Sequence, residues 1–317
     1  MYIAVSKIIP ILILISFGFI INLKFKVPHD FISMLRKAIV SIALPAVLFT
    51  TFLDMEIKSE FLPLSLTVVL MFSFMYIAGF LLSKYRWFNT NLTPFFLTAT
   101  GFGTIGIVLF LAMFGNDALF NFTVFGIGHE FFAWFIYIPM IHNYFNKQKF
   151  SMNVIKDFIK SPIILTIFLG VILNISGFSN AIVNSPLNFI WQGILETFNL
   201  LGNVITPVLL MIIGATLSLE KIYIKEALRL VILRLTVMLS IGYLFKILVF
   251  NNIVESSPLF NFAYFTLLIL PPPYSSMVFI GEYESDENLS ILSNGLAIST
   301  IVCLVIFIIA GIFHMSF

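Results

Sequence analysis

Ten apolar stretches, each about 20 residues long, recur along the chain, and a helix needs about that length to cross the hydrocarbon core of a membrane. They run over Tyr2–Leu23, Met34–Leu53, Leu62–Leu82, Pro94–Phe114, Ala118–Ile141, Pro162–Phe178, Phe198–Leu217, Leu228–Phe250, Phe262–Ile280 and Leu289–Phe313. Lipid offers the backbone no hydrogen-bond partners, so such stretches must be helices unless a closed barrel forms. The alternating strands a barrel needs are absent from the sequence. Composition agrees: 60% hydrophobic and 10% charged residues leave too few charges to cover a water-soluble surface. A net charge of +2 carries no nucleic-acid footprint. The first stretch is long for a signal peptide and lacks a small-residue cleavage site, so it reads as a retained span. The single cysteine, Cys303, lies in an apolar run and excludes an internal disulfide or a cysteine metal cluster.

Basic residues orient the spans. Thirteen lysines and arginines, from Lys24 to Arg229, lie in or beside the connections after odd-numbered spans, against Lys58 alone after even-numbered ones. Basic connections stay in the cytoplasm, which places both termini outside the cytoplasm in the inner (plasma) membrane. The basic stretch 142–161 reads as a cytoplasmic linker between two halves, 1–141 and 162–317.

The halves resemble each other. Pro45 and Pro207 stand 162 residues apart in the second and seventh spans, and Glu56 and Glu220 follow those spans at an offset of 164. Gly106 with Gly115, and Pro272 with Gly281, mark the fourth and ninth spans at an offset of 166. Five spans per copy is an odd number, so a duplicated unit lies inverted in the membrane, as in many secondary transporters. The expected fold is an all-α polytopic membrane protein of ten transmembrane helices in two inverted five-helix repeats.

Spans four and nine are interrupted at their middles. The fourth reads Thr100-Gly101-Phe102-Gly103-Thr104-Ile105-Gly106, and glycines weaken a helix. The ninth reads Pro271-Pro272-Pro273-Tyr274-Ser275-Ser276, and consecutive prolines cannot continue one. Each break starts a half-helix whose first amides lack partners and whose end carries about +0.5 charge. Two such ends aimed at one cavity favour an anion, above all a carboxylate, with Thr100, Ser275 and Ser276 adding hydroxyls. The alternative at each break is a plain kink. The string Gly101-x-Gly103-x-x-Gly106 also fits the dinucleotide fingerprint, but inside a membrane span the fingerprint's strand and soluble helix are missing.

His129 and Glu130 lie within the fifth span, where ionisable groups are costly and often functional. They are candidates for relaying protons or holding a coupling cation, against a buried structural pair. The second histidine of a zinc-protease motif is replaced by Ala133, which removes that reading. Arg234 and Lys246, in the eighth span, are expected to snorkel to the membrane surfaces. Glu196 just before the seventh span, Asn203 in its first turns and Asn294 early in the tenth are candidates to line the cavity, against the commoner roles of capping helices or facing interfacial water. The cluster Glu282, Glu284, Asp286 and Glu287 reads as a solvated connection.

Four segments carry a family resemblance: Leu44-Pro45-Ala46-Val47-Leu48-Phe49; the glycine-rich fourth span ending in Phe114-Gly115-Asn116-Asp117; Ile213-Gly214-Ala215-Thr216-Leu217; and Pro271–Ser276 with Glu282-Tyr283 and Ala297-Ile298-Ser299-Thr300. Together they resemble the auxin efflux carrier family in its bacterial branch. The resemblance implies a scaffold part and a transport part, crossed broken helices, a homodimer, elevator-like alternating access and an organic-anion substrate. The fold is similar to that of bile-acid symporters and sodium/proton antiporters. The sequence departs from the family pattern at Gly101 and Val108, where an Asn and a Pro are common, and this removes a carboxylate contact.

The reading is a secondary transporter for a small organic anion, coupled to protons, to sodium or to the membrane potential alone. It needs no cofactor and no metal. A receptor that binds such an anion without moving it is the alternative. An intramembrane enzyme would need a nucleophile with a base, and His129 with Glu130 is the only close ionisable pair within the spans.

Overall fold

The computed structural model describes residues 2–53, 60–85, 90–146, 162–217, 223–255, 257–273, 276, 280 and 285–316. Apolar helices stand at all ten expected positions. Six are long and apolar enough to cross a membrane, and four shorter ones, Ile9–Phe25, Phe102–Phe114, Leu165–Ile175 and Pro258–Ile269, occupy the first, fourth, sixth and ninth positions. Large apolar side chains such as Ile13, Leu62 and Phe189 are exposed. Such a surface would aggregate in water and suits lipid.

The chain opens with α1 (Tyr2–Phe25). The second span is α2 (His29–Ala38), a π-helical turn (Ile39–Ala43) and α3 (Leu44–Leu53), wound as one continuous helix. Next come α4 (Phe61–Leu82) and the single turn α5 (Thr93–Phe96). After the break, a π-helical turn (Phe102–Gly106) leads into α6 (Ile107–Phe114). Gly115, at φ +78°, ends α6, a backbone angle that glycine takes without a Cβ clash. The fifth span is α7 (Asn116–Phe132), a third π-helical turn (Ala133–Tyr137) and α8 (Ile138–Asn146).

The second half holds α9 (Pro162–Ile175), the short α10 (Phe178–Val183) and α11 (Asn188–Thr216). There follow α12 (Ile224–Phe245), a fourth π-helical turn (Lys246–Phe250) and α13 (Asn251–Ile253). The chain closes with α14 (Pro258–Ile269) and α15 (Asp286–Ser316). Ser257 caps α14, its hydroxyl accepting from the Phe260 amide.

Two groups of helices pack internally. In one, α1 lies along α11, and α3 packs on α9 and α11. The first contact is backbone to backbone: a Cβ on Gly18 would run into the Met211 carbonyl, and one on Gly214 into that of Ile15. In the other group α4 packs on α7, α12 on α4 and α15, and α14 on α7.

Several expectations need correction. The seventh span starts at Asn188 rather than near Phe198, so Glu196 lies inside the helix on an exposed face. Polar residues on that face ended the apolar count early without ending the helix. Asn203 therefore lies well inside α11 rather than in its first turns. Asn294 is fully buried in α15 rather than facing interfacial water. Glu56, Glu220, Gly281, the acidic residues Glu282 and Glu284, Tyr283 and most of the 142–161 linker lie outside the described residues.

Candidate crossover site

The first break covers 97–101, where the backbone leaves the helix. Ala99 sits there at φ +44°, a left-handed conformation unusual for a residue with a Cβ, and it is fully buried. Such a conformation costs about 1–3 kcal/mol and persists only where its surroundings enforce it. The second break is Leu270–Pro273, an extended segment after α14. Its three prolines have no N–H to leave unpaired, which suits a buried stretch outside a helix. The two breaks touch directly: the Gly101 amide donates to the Pro271 carbonyl at 2.8 Å.

Arg234 of α12 joins them more firmly. It is 1% exposed, contrary to the expectation that it snorkels. The apolar stretch begins only at Leu228, but the helix begins at Ile224, which puts Arg234 three turns deep. Its guanidinium donates to the carbonyls of Phe96, Thr98, Ala99 and Leu270: Nη1 to Phe96 and, at 3.1 Å, to Thr98; Nη2 to Ala99 at 2.7 Å and Leu270 at 2.9 Å; Nε to Leu270 at 3.2 Å. A guanidinium has five N–H donors. All five are taken, so none is left for an incoming carboxylate. The carbonyl ends at both breaks are the electronegative ends of helical segments, and a cation there is favourable.

A cavity of about 400 Å³ opens beside the crossing. One wall is a face of the second span, Ser33, Arg36, Lys37, Val40 and Ser41, spaced three and four residues apart as one helix face requires. A second wall is the fifth-span face His129, Glu130, Ala133, Trp134 and Tyr137. The floor is Thr100, Gly101, Phe102, Gly103 and Thr104, with Pro273 beside them. Each of these three segments carries one of the π-helical turns described above, a feature frequent at functional sites. The Gly101 carbonyl accepts from the amides of Ile105 and Gly106. Phe102, Gly103 and Thr104 then form the first turn of the new half-helix, whose amides have no acceptor within the helix. The Tyr137 hydroxyl donates to the Phe95 carbonyl at 3.1 Å and ties the fifth span to the fourth.

His129 is buried, and its Nε2 accepts the Thr100 amide at 2.9 Å. Accepting there places the ring proton on Nδ1. Nδ1 lies 3.6 Å from a Glu130 carboxylate oxygen and makes no hydrogen bond, and the Thr100 hydroxyl is likewise buried without a partner. Glu130 is 15% exposed and faces the cavity.

The cavity thus brings together Thr100, Gly101, Gly103, His129, Glu130 and Pro273. Gly106, Pro271, Pro272 and Ser276 stand apart from it. Gly106 packs against Leu270 and Phe122, where an added Cβ would lie 2.7 Å from each side chain. Pro271 and Pro272 are buried in the crossing. Ser276 is buried, with its amide and hydroxyl both on the Pro273 carbonyl, at 3.0 and 2.6 Å. Tyr274 and Ser275 lie outside the described residues. The sequence reading missed Arg36, Lys37, Trp134 and the place of Arg234. Ser33, Lys37 and Ser41, polar at four-residue intervals in or beside an apolar span, were a usable signal for Lys37.

A protein of Methanocaldococcus jannaschii described as "Uncharacterized transporter MJ1031" is 26% identical over 226 residues, covering 68% of this chain and 70% of its own. Residues 3–310 match the family described as "Membrane transport protein", which spans both broken segments, Arg234 and the cavity. The chain therefore belongs to the membrane transport protein family, that of the auxin efflux carriers.

Proposed function

We propose that this protein is a secondary transporter moving a small organic anion, a carboxylate in particular, across the inner membrane. The observation that carries the reading is the cavity: Arg36 and Lys37 on one wall, and the first turn of a half-helix on its floor. Cationic side chains draw an anion in, and free amides at a helix start bind it. The two packing groups support a scaffold of the first, second, sixth and seventh spans against a moving part that holds the crossing. In this reading the moving part shifts against the scaffold in an elevator-type alternating access, within a homodimer. The ten spans form two inverted repeats, 1–141 and 162–317. The cavity opens toward the basic, cytoplasmic face, with both termini outside.

His129 and Glu130 supply the coupling. An anion in this cavity meets the Glu130 carboxylate, and like charges repel. Entry is easiest when Glu130 carries a proton, so anion and proton bind together.

The test is uptake of radiolabelled malate, malonate and indole acetate into proteoliposomes, with and without an imposed proton gradient. Saturable uptake of one acid, stimulated by the gradient, is expected. Specific binding without flux of any acid would turn the reading to a receptor.

A further inference from the structure

We propose that Arg234 is the resident cation of the crossing. It occupies the place where an alkali ion would otherwise bind, so this carrier works without sodium. The inference rests on the transport reading and narrows its coupling.

Transporters with interrupted helices coordinate sodium through unwound backbone carbonyls and the carbonyl ends of half-helices. Here those groups are the carbonyls of Phe96, Thr98 and Ala99 from one break and of Leu270 from the other. All four converge on one guanidinium. An alkali ion at the same oxygens would have to displace Arg234 or sit against its positive charge.

The side chain cannot readily leave. It is 1% exposed, every donor is bonded, and its departure would strip four buried carbonyls of their partner. Among the described residues no Asp or Glu is buried beside these four carbonyls, so a sodium ion there would depend on neutral oxygens.

The arrangement differs from an anion-binding arginine in a way that matters. A substrate arginine keeps part of its fork for the ligand. Arg234 has none to spare, so it acts through the backbone it positions and not by touching the anion. It also fixes the left-handed Ala99 and joins the two unwound segments, which would then move as one body. With the cation of the crossing built in, the remaining ionisable pair beside it is His129 with Glu130. That leaves the proton as the ion the site can exchange.

The experiment reads thermal unfolding of the full chain in lipid nanodiscs by tryptophan fluorescence. Wild type is compared in sodium, potassium and choline chloride at equal ionic strength, with no difference expected. Arg234→Ala is expected to unfold several degrees lower. Ethylguanidinium present during purification should restore most of the loss and ethylammonium much less, and sodium, able to reach the vacated carbonyls, should restore part of it where choline restores none. Should Arg234→Ala not fold, Arg234→Lys serves: it keeps the charge, and its stability should stay indifferent to sodium. A sodium-specific rise in wild type or in Arg234→Lys overturns the proposal. So does equal rescue of Arg234→Ala by the two ethyl cations. Unfolding needs no substrate, so finding no transported acid would sink the carrier reading alone, whereas sodium stabilisation of wild type would sink this one alone.

Discussion

The Nε2 of His129 accepts the backbone amide of Thr100 at 2.9 Å, so a side chain of the fifth span holds the unwound segment of the fourth. Both residues are buried. Removing the acceptor leaves a buried N–H unpaired, which costs about 1–3 kcal/mol. His129→Ala should therefore lower unfolding stability by about that amount, while His129→Gln, whose amide oxygen also accepts, should lose less. Chemical unfolding in detergent checks both. Equal losses would mean that the ring's packing against Phe72 and Phe102, and not the hydrogen bond, is what matters.

Gly106 gives a test of the crossing that is separate from charge. Its missing Cβ leaves room for Leu270 and Phe122. Both are side-chain neighbours, so Gly106→Ala should be partly accommodated. Gly106→Leu overfills the site, at a cost of about 1–3 kcal/mol. The leucine variant should remain folded by size-exclusion chromatography and lose uptake, with alanine between. Full uptake in Gly106→Leu would show that the crossing tolerates displacement.

Gly18 and Gly214 test the packing of α1 on α11. A methyl on either would meet backbone carbonyl, which cannot rotate away. Alanine at either position should force the two helices apart and lower the unfolding temperature by several degrees. Because both act at one interface, the double variant should lose less than the two losses added together. Strict additivity would mean the two contacts yield independently.

Much of this was legible beforehand, for identifiable reasons. Span length and helix breakers are local properties, so the ten apolar positions and the interruptions near Gly101 and Pro272 could be read directly. Arg234 could not. Its role depends on carbonyls more than 130 residues away, those of Phe96, Thr98 and Ala99, and on Leu270 in another helix. Nor could Ala99, since nothing about an alanine announces a left-handed backbone. Asn188 to Glu196 hid a helix because an amphipathic start breaks an apolar count while its exposed face remains helical. Local pattern gives elements, and a crossing is made by their meeting.

Lys37 and Arg36 should govern how an anion reaches the site. Each charge lines the cavity wall. Loss of one charge at short range through a watery opening is worth about 1 kcal/mol, or about fivefold in affinity. Lys37→Gln should raise KM by about that factor with kcat little changed. The gap should narrow in high salt, because screening acts on exposed charge. A change in kcat alone would place Lys37 in the moving step and not in capture.

Glu130→Gln separates coupling from transport itself. The glutamine keeps the shape of the side chain and cannot take or release a proton. If Glu130 must be neutral for the anion to enter, the variant is fixed in the receptive form. Exchange of labelled for unlabelled acid across the membrane, which needs no net proton movement, should then persist or quicken. Net uptake driven by an imposed proton gradient should be lost. His129 stays in place with its Nε2 on Thr100, so the site keeps its geometry. An unchanged gradient response in Glu130→Gln would remove Glu130 from the coupling. Paired with a lost response in His129→Gln, it would move the proton to the imidazole, where taking it at Nε2 must break the bond to Thr100.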